Sequence, residues 1–345
     1  GNTLDAFNNT QNQGLSSETV WGNPITTEEM IDEIVDKGFK AVRIPVTWHN
    51  HLIDRNYTID PIWMARVKTV VDWCINKGLY VILNTHHDNA NYRAFGSSYG
   101  VGYYPAIKDM VESEKFLYNV WKQIAYAFNE GYDHHLIFEG LNEPRLRGLN
   151  NEWWYLVGDA TCKDAENALN EYNQLIVKAI RETKGNNAKR FIMITPLAAG
   201  LDFAINSNFI IPNDSKYNKN NKLIVSIHLY SPYDFTMNNN MNYKKFSEEY
   251  ENEIDKQLKQ IHEIFSKKGY NLIITEFGAI NKNNTQDRLA WGIHYIETAR
   301  KYHMTPFLWD NGIWDNSKTC DNTFGLLKRE NLEWINDKFI DELLD

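Results

Sequence analysis

Two kinds of segment alternate along this 345-residue chain and limit the folds open to it. A short run rich in aliphatic, β-branched and aromatic residues is followed by a longer segment with helical spacing, and the cycle then starts again. Runs this continuously apolar are typical of parallel strands that are buried on both faces. Seven such runs occupy residues 39–46, 80–87, 136–144, 190–196, 223–230, 272–278 and 305–311.

An eighth run, first in order, is expected to end within residues 1–6, so that the sequence begins inside that strand. Gly38, Gly78 and Gly269 each follow a predicted helix and precede a strand, where a positive φ angle is common. Eight β-α units predict an α/β protein, a single (β/α)8 TIM barrel over residues 1–345. The predicted helices are residues 27–37, 61–77, 114–129, 164–183, 243–267 and 285–302.

Charge and cysteine content narrow the possible partners. A formal net charge of −9 argues against nucleic acid and anionic membranes, and no apolar run approaches the ~18–20 residues that span a bilayer. Cys74, Cys162 and Cys320 lack metal-binding spacing, and they allow either one disulfide with a free thiol or no disulfide. The chain opens at Gly1 rather than Met, and we expect an upstream segment such as a signal peptide to have been removed.

The predicted strands begin apolar and end in polar or aromatic residues. In α/β barrels the chemistry lies at the carboxyl ends of the strands. Two carboxylates stand at such ends, Glu143 before Pro144 and Glu276 before Phe277 and Gly278. They belong to the fourth and seventh strands, which face each other across a barrel of eight, and paired carboxyls are what glycoside hydrolysis requires. The alternative is two structural acids that pair with Arg43 and Arg145.

Glu139 and the histidines have simpler explanations. Glu139 precedes Glu143 by two alternations on the same strand, and we expect it to lie deeper in the barrel, paired with Arg43. His86 and His87 are adjacent, so strand alternation predicts opposite faces and no shared metal ion. His134 and His135 precede a strand and are expected at the surface. The sequence therefore predicts no metal site and no cofactor.

Eight segments carry a resemblance to a known family. The chain resembles glycoside hydrolase family 5 (cellulase family A), in particular its subfamily 4 endo-β-1,4-glucanases, over nearly its whole length. An Asn-Glu-Pro motif alone would be a weak signal for this family. The order of these segments, most of them at predicted strand ends, is a specific signal. The segments are GNTLDA, TVWGNPITTEEMI, VRIPVTW, VILNTHHD, FEGLNEPR, SIHLYSPYDF, ITEFGA and FLWDNG.

The resemblance implies a role for each matching residue. Glu143 would be the acid/base and Glu276 the nucleophile, while Arg43 would keep Glu276 ionised and Asn142 would bind the sugar 2-hydroxyl. Tyr230 would hydrogen-bond the nucleophile. The other implied substrate contacts are His86, His87 and His228, with Trp309 as the platform under the sugar that is cleaved, and Asn2, Trp48 and Asn311 as distal contacts.

The implied reaction is double displacement with retention. We expect Glu276 to be ionised and Glu143 to be protonated by repulsion between the two carboxyls, which should lie about 5–5.5 Å apart. The resemblance implies a secreted, monomeric enzyme that acts on cellulose, mixed-linkage β-glucan and xyloglucan. Loop aromatics that could line a groove are Trp21, Trp48, Tyr99, Tyr103, Tyr104, Trp153, Trp154 and Trp314.

Other functions remain open alternatives. A β-mannanase or xylanase could use the same barrel and the same carboxylates. A non-catalytic glucan-binding protein is disfavoured because both carboxylates are present. An enzyme of phosphorylated substrates would need a glycine-rich phosphate site after the last two strands, and the segments FGAINKNN and WDNGIWDN do not supply one.

Overall fold

Seven parallel strands form the centre of the molecule, and each pairs with the next one along the chain. The computed structural model describes residues 1–7, 12–95, 99–217 and 222–345. All seven predicted runs contain strands; six strands are shorter than their runs, and β6 has the predicted length but lies one residue earlier. The strands are β1 (Ala41–Ile44), β2 (Tyr80–Asn84), β3 (Leu136–Glu139), β4 (Ile192–Ile194), β5 (Leu223–His228), β6 (Asn271–Phe277) and β7 (Thr305–Leu308).

Helices connect the strands and surround the sheet, which confirms the predicted α/β barrel. Asp60 caps one helix, where its side chain accepts from the Ile62 amide and Pro61 occupies the first turn. Asp159 caps another by accepting from the Thr161 and Cys162 amides. The helices are α1 (Glu28–Asp36), α2 (Pro61–Asn76), α3 (Met110–Ala127), α4 (Ala160–Glu182), α5 (Leu201–Asn206), α6 (Tyr233–Thr236), α7 (Glu248–Ile264), α8 (Thr285–Lys301) and α9 (Asp337–Leu344). A hairpin of β8 (Leu327–Lys328) and β9 (Glu333–Trp334) precedes α9.

The barrel interior is layered from apolar to polar. Ile82, Ile137, Met193 and Ile224 form a buried cluster inside the sheet. Two residues further along β2, β3 and β5, the same face carries Asn84, Glu139 and Ser226, all buried. The polar layer therefore lies at the carboxyl ends of the strands, as predicted.

The predicted strand within residues 1–6 is wrong. Residues 1–6 contain no strand, because the backbone turns at Asp5, whose carboxylate accepts from the Asn2 and Thr3 amides at 3.0 and 2.8 Å. In the described chain β1 and β7 are therefore not paired with each other. A largely apolar cavity of about 650 Å³ lies along this seam and includes Ile44 and Leu308 in its lining.

The cysteines and helices settle two smaller points. Cys74, Cys162 and Cys320 are all free thiols, so the alternative without a disulfide holds. Gly38, Gly78 and Gly269 have φ angles of 106°, 80° and 85°, as predicted. Among the described residues, no helix combines the length and apolarity that a membrane crossing requires.

Candidate active site

Arg43 joins three acidic or amide side chains at the carboxyl end of the barrel. Its Nε donates to Glu139 Oε2 at 2.8 Å, and its two terminal nitrogens donate to Glu276 Oε1 and Asn142 Oδ1 at 2.7 Å each. Burial disfavours the Arg43 cation, but the charges of Glu139 and Glu276 outweigh it and raise the Arg43 pKa. Because the guanidinium fork is planar, it fixes all three partners in one geometry.

Glu139 is fully occupied by its neighbours. Besides Arg43 it accepts from Asn84 Nδ2 at 2.8 Å and from Ser226 Oγ at 2.7 Å, and its side chain is fully buried. It thus lies below the open site and pairs with Arg43, as the sequence predicted.

Glu276 enters the site because β6 is irregular. Thr275 already faces the interior, where its hydroxyl meets Ser226 at 2.6 Å, so strict alternation would turn Glu276 outward. The register of β6 shifts against both β5 and β7 at this end, and Glu276 turns inward while Phe277 packs on Tyr295 of α8. Tyr230 donates its hydroxyl to Glu276 Oε2 at 2.8 Å, which adds a second strong donor beside Arg43.

Glu143 faces Glu276 across His228. The His228 Nδ1 atom lies 2.9 Å from Glu143 Oε1 and 3.5 Å from Glu276 Oε2. One oxygen of each carboxylate lies within 4.8 Å of the other. Retaining glycosidases separate their carboxyls by about 5–5.5 Å and inverting enzymes by about 6.5–9.5 Å. This closest approach is compatible with a retaining pair.

The expected protonation of Glu143 is corrected by this contact. Burial raises the Glu143 pKa, but the hydrogen bond and charge of His228, with a contribution from Arg145, outweigh it and lower the pKa to about 2. Burial lowers the His228 pKa, and the charges of Glu276 and Glu143 together with the hydrogen bond raise it above its usual value. Glu143 and His228 thus share one proton, which resides mainly on His228. The expectation of a protonated Glu143 considered only the repulsion between the two carboxylates and did not include the histidine.

His86 and His87 lie on the same side, against the expectation from strand alternation. Their ring centroids are 4.4 Å apart, and their Nε2 atoms lie 3.9 and 4.0 Å from Asp5 Oδ2. Alternation fails because β2 ends at Asn84, before either histidine. Burial lowers the pKa of His86 well below its usual value and that of His87 to about 4, so both rings are neutral at pH 7.

Asp5, His86 and His87 have spacing compatible with a metal ion, but a hydrogen bond opposes that use. Asn84 Oδ1 accepts from the Val46 amide at 3.1 Å, which leaves Asn84 Nδ2 to donate to His86 Nδ1 at 3.1 Å. A neutral His86 that accepts at Nδ1 carries its proton on Nε2, the atom that faces Asp5. This nitrogen is set up to donate to a hydroxyl or carboxylate rather than to bind a metal.

Two expected sugar contacts are wrong. Trp48 is completely buried, and its indole N–H donates to the Asn84 carbonyl at 2.9 Å. The Asn311 amide is used within its own loop, where it donates to the Asn322 carbonyl at 2.8 Å and accepts from the Ile313 amide at 3.0 Å. Asn2 is partly exposed, and its role as a distal sugar contact stays a prediction.

The loop aromatics divide into buried and exposed groups. Tyr103 and Tyr104 are buried, and the side chain of Tyr99 lies outside the described part of the chain. Trp309 is partly exposed and lies parallel to His86 at a centroid distance of 6.0 Å. The other exposed or partly exposed rings are Trp21, Trp153, Trp154 and Trp314.

One residue of this site, Asn84, was not singled out from the sequence, and a second, Arg145, was not assigned a role in the reaction. Asn84 connects Glu139 with His86, and its position two residues before His86 at the end of a polar-ending run was a usable signal. Arg145 was considered only as an ion-pair partner in the alternative of two structural acids, and the structure places its Nη1 3.4 Å from Glu143 Oε2.

An α/β barrel with a close carboxylate pair at its carboxyl end defines a glycoside hydrolase. The model of the cellulase family (glycosyl hydrolase family 5) matches residues 4–315. The chain belongs to glycosyl hydrolase family 5.

Similar proteins are endoglucanases and a lichenase. Endoglucanase 1 of Ruminococcus albus is 40% identical over 97% of this chain and 75% of its own length. The lichenase of Caldicellulosiruptor sp. F32, solved as a mutant with cellotetraose, superposes with a TM-score of 0.92 at 36% identity, covering 100% of this chain and 90% of that one. A GH5-4 broad specificity endoglucanase from Ruminococcus champanellensis, with bound cellotriose, gives a TM-score of 0.89 at 38% identity, covering 100% and 94%.

Proposed function

We propose that this chain is an endo-β-1,4-glucanase that cleaves β-glucans by double displacement with retention. One observation carries the mechanism: one oxygen of Glu143 and one of Glu276 lie within 4.8 Å of each other beside His228, and of the two carboxylates only Glu276 is held by Arg43 and Tyr230. The similar endoglucanases and the lichenase support β-1,4 and mixed-linkage glucans as substrates.

The two carboxylates have different roles because their neighbours differ. Glu276 accepts from a cation and a phenol, which keeps it a carboxylate that can attack the anomeric carbon. Glu143 is paired with a group that carries a proton, so it can pass that proton to the departing oxygen as the C–O bond breaks. In the second half of the reaction Glu143 takes a proton from water, which then displaces Glu276.

Neighbouring groups support substrate binding. Arg43 holds the Asn142 oxygen, so the Asn142 NH2 group is directed away from Arg43 and can donate to a sugar hydroxyl. His86, with its proton on Nε2, and the exposed part of Trp309 offer a donor and an apolar ring to the same sugar. The proposal includes xyloglucan as an additional substrate. It also includes secretion of the protein, since polymeric glucans are found outside the cell.

Hydrolysis of a substrate panel tests this function. Carboxymethyl-cellulose, barley β-glucan, xyloglucan and mannan are incubated with the wild type and with Glu276→Gln, which keeps the shape of the side chain. Cleavage of the β-glucans that the variant loses supports the proposal. Preferential cleavage of mannan would favour a β-mannanase, and absence of any cleavage would favour a glucan-binding protein.

A further inference from the structure

A small cavity lies between the amino-terminal ends of α8 and α9, away from the candidate active site. Its volume is about 90 Å³, well above the roughly 10–15 Å³ that one water molecule requires. Four polar side chains line it, and the other lining residues of the described chain are apolar or glycine, so no carboxylate faces it there. The polar residues are Asn281, Thr285, Arg288 and Asn336.

Arg288 brings a buried positive charge to this cavity. Only 9% of its surface is exposed, and its Nε is buried without a hydrogen-bond partner in the part of the chain that the structure describes. The guanidinium carbon lies 5.2 Å from the ring centroid of Phe339, which attracts the cation but carries no charge. Burial lowers the Arg288 pKa to about 10, so the group is still charged at pH 7. A buried charge is costly unless an opposite charge or hydrogen bonds accompany it.

The acids at the start of α8 and α9 are paired with other residues. Asp287 Oδ2, next to Arg288 in the sequence, lies 3.2 Å from Lys245 Nζ. Asp337 Oδ1, at the start of α9, lies 3.1 Å from Lys37 Nζ. Neither carboxylate therefore serves as the counter-ion of Arg288, and the cation requires an anion from another source.

Two asparagines offer hydrogen-bond donors at the same cavity. Asn281 Oδ1 accepts from the Asn283 amide at 3.0 Å, and Asn336 Oδ1 accepts from the Phe339 amide at 3.0 Å. Because each side-chain oxygen is bonded to a backbone amide, the NH2 group of each asparagine is left as a donor. Both asparagines thus add donors to the positive charge of Arg288.

The start of α8 adds a favourable helix end. Its N-cap residue, Asn284, makes no side-chain hydrogen bond to the first amides of the helix, because Asn284 Oδ1 accepts from the Lys282 amide at 3.1 Å. Thr285, the first residue of this 17-residue helix, lines the cavity. Uncapped amides at a helix start carry partial positive charge and favour an anion. The helix end and the buried cation thus point to the same kind of ligand.

We propose that this cavity binds a small inorganic oxyanion such as phosphate, held by Arg288, the Thr285 hydroxyl and the NH2 groups of Asn281 and Asn336. The planar guanidinium matches two oxygens of such an anion, and the remaining oxygens can accept from the other donors. The bound anion would join the loop after β6 to the starts of α8 and α9. The site is separate from glucan cleavage, and its role is to stabilise the fold.

Calorimetric titration with phosphate and urea unfolding test the site. Both are measured at pH 7 and at constant ionic strength set with sodium HEPES. The wild type should bind one phosphate per chain, and phosphate at ten times its dissociation constant should raise the ratio of folded to unfolded protein about 11-fold. Arg288→Met, which keeps an apolar contact for Phe339, should lose both effects. Arg55→Met is the matched control, since it removes an exposed arginine and should keep both.

Asn336→Asp tests the same cavity without removing Arg288. The new carboxylate can still accept from the Phe339 amide, because aspartate caps helices as well as asparagine does, and it supplies a negative charge inside the cavity. The variant should resist urea better than the wild type in phosphate-free buffer, and it should no longer respond to phosphate. This result is independent of whether Arg288→Met folds.

The outcomes that contradict the proposal are distinct. If the wild type binds no phosphate, or Arg288→Met binds it equally well, the assigned site is wrong. If sodium chloride stabilises the wild type as much as phosphate does, the ligand is not specifically an oxyanion. If Asn336→Asp responds to phosphate like the wild type, the anion binds outside this cavity.

Discussion

His228 as the main carrier of the catalytic proton leads to a prediction whose sign is fixed by the structure. In His228→Asn the amide nitrogen can take the place of Nδ1, which lies 2.9 Å from Glu143 Oε1. The donor to Glu143 is kept, and the group that can bear a positive charge is lost. The remaining proton must then reside on Glu143 itself.

The direction of the change follows from the titration of a pair. In the wild type the pair loses its single proton at a pKa that is at least as high as that of either site alone. The His228 pKa is raised and the Glu143 pKa is lowered to about 2, so His228 sets this value. In His228→Asn the proton can reside only on Glu143, so the alkaline limb reports the pKa of Glu143 beside a neutral hydrogen-bond donor. We therefore expect the alkaline limb of kcat/KM to move to lower pH, and above the new limb the activity should fall about tenfold per pH unit.

The assay is a pH profile of kcat/KM on a soluble mixed-linkage glucan, from pH 4 to pH 9 in steps of about half a unit, since kcat/KM reports groups of the free enzyme. Unfolding midpoints at each pH exclude loss of the fold as the cause. A limb that stays in place or moves to higher pH would show that Glu143 carries its proton without His228, and the reasoning would be refuted.

Two further predictions concern Arg43 and Gly102. Arg43→Lys cannot serve Glu139, Glu276 and Asn142 together, so it should lower the free energy of unfolding by about 3–5 kcal/mol, as the loss of a buried ion pair does, and kcat/KM by at least about 100-fold. Urea unfolding measures the free energy of unfolding, and glucan hydrolysis measures kcat/KM. A wild-type value of either quantity would contradict the role assigned to the three hydrogen bonds of Arg43. Gly102→Ala should destabilise by more than about 2 kcal/mol, because the new Cβ would lie 1.8 Å from the Asp88 carbonyl oxygen at a φ angle of 87°. Gly131→Ala, at 90° with nothing within 4 Å, isolates the backbone part and should cost about 1 kcal/mol, so equal urea midpoints for the two variants would argue against the close approach.

The sequence predicts the barrel well because its signals are local. All seven runs become strands, and all six predicted helices form within about five residues of their predicted bounds. The strand within residues 1–6 fails for a local reason as well, since Asp5 binds two backbone amides that a strand would have paired. Apolar content alone does not reveal such a turn.

The candidate site is predicted in composition more than in geometry. Alternation places Glu276 on the outer face of β6, and only the register shift brings it inside. His86 and His87 share a side because β2 ends before them. Trp48 and Asn311 follow strands at the carboxyl end of the barrel, as predicted. Their side chains nevertheless bond to neighbouring backbone groups, and the sequence pattern does not show these contacts.

The charge balance around the acid also lies beyond the linear pattern. Two carboxylates so close predict a protonated Glu143 when they are considered alone. His228 lies between them and takes the proton, while Arg145 adds a second positive group beside Glu143. Glu143, His228 and Glu276 are far apart in the sequence, but one ligand atom of each lies within 4.8 Å of the others in the structure.

The anomeric configuration of the first product tests the central claim most directly. Proton NMR during hydrolysis of an aryl β-cellobioside follows the sugar before it mutarotates, and a 2-deoxy-2-fluoro analogue traps the covalent enzyme for peptide mass spectrometry. The account predicts that the β-anomer forms first and that the label is on Glu276. If the α-anomer forms first, or the label is on another carboxylate, the assignment of Glu276 as nucleophile and Glu143 as acid/base is contradicted.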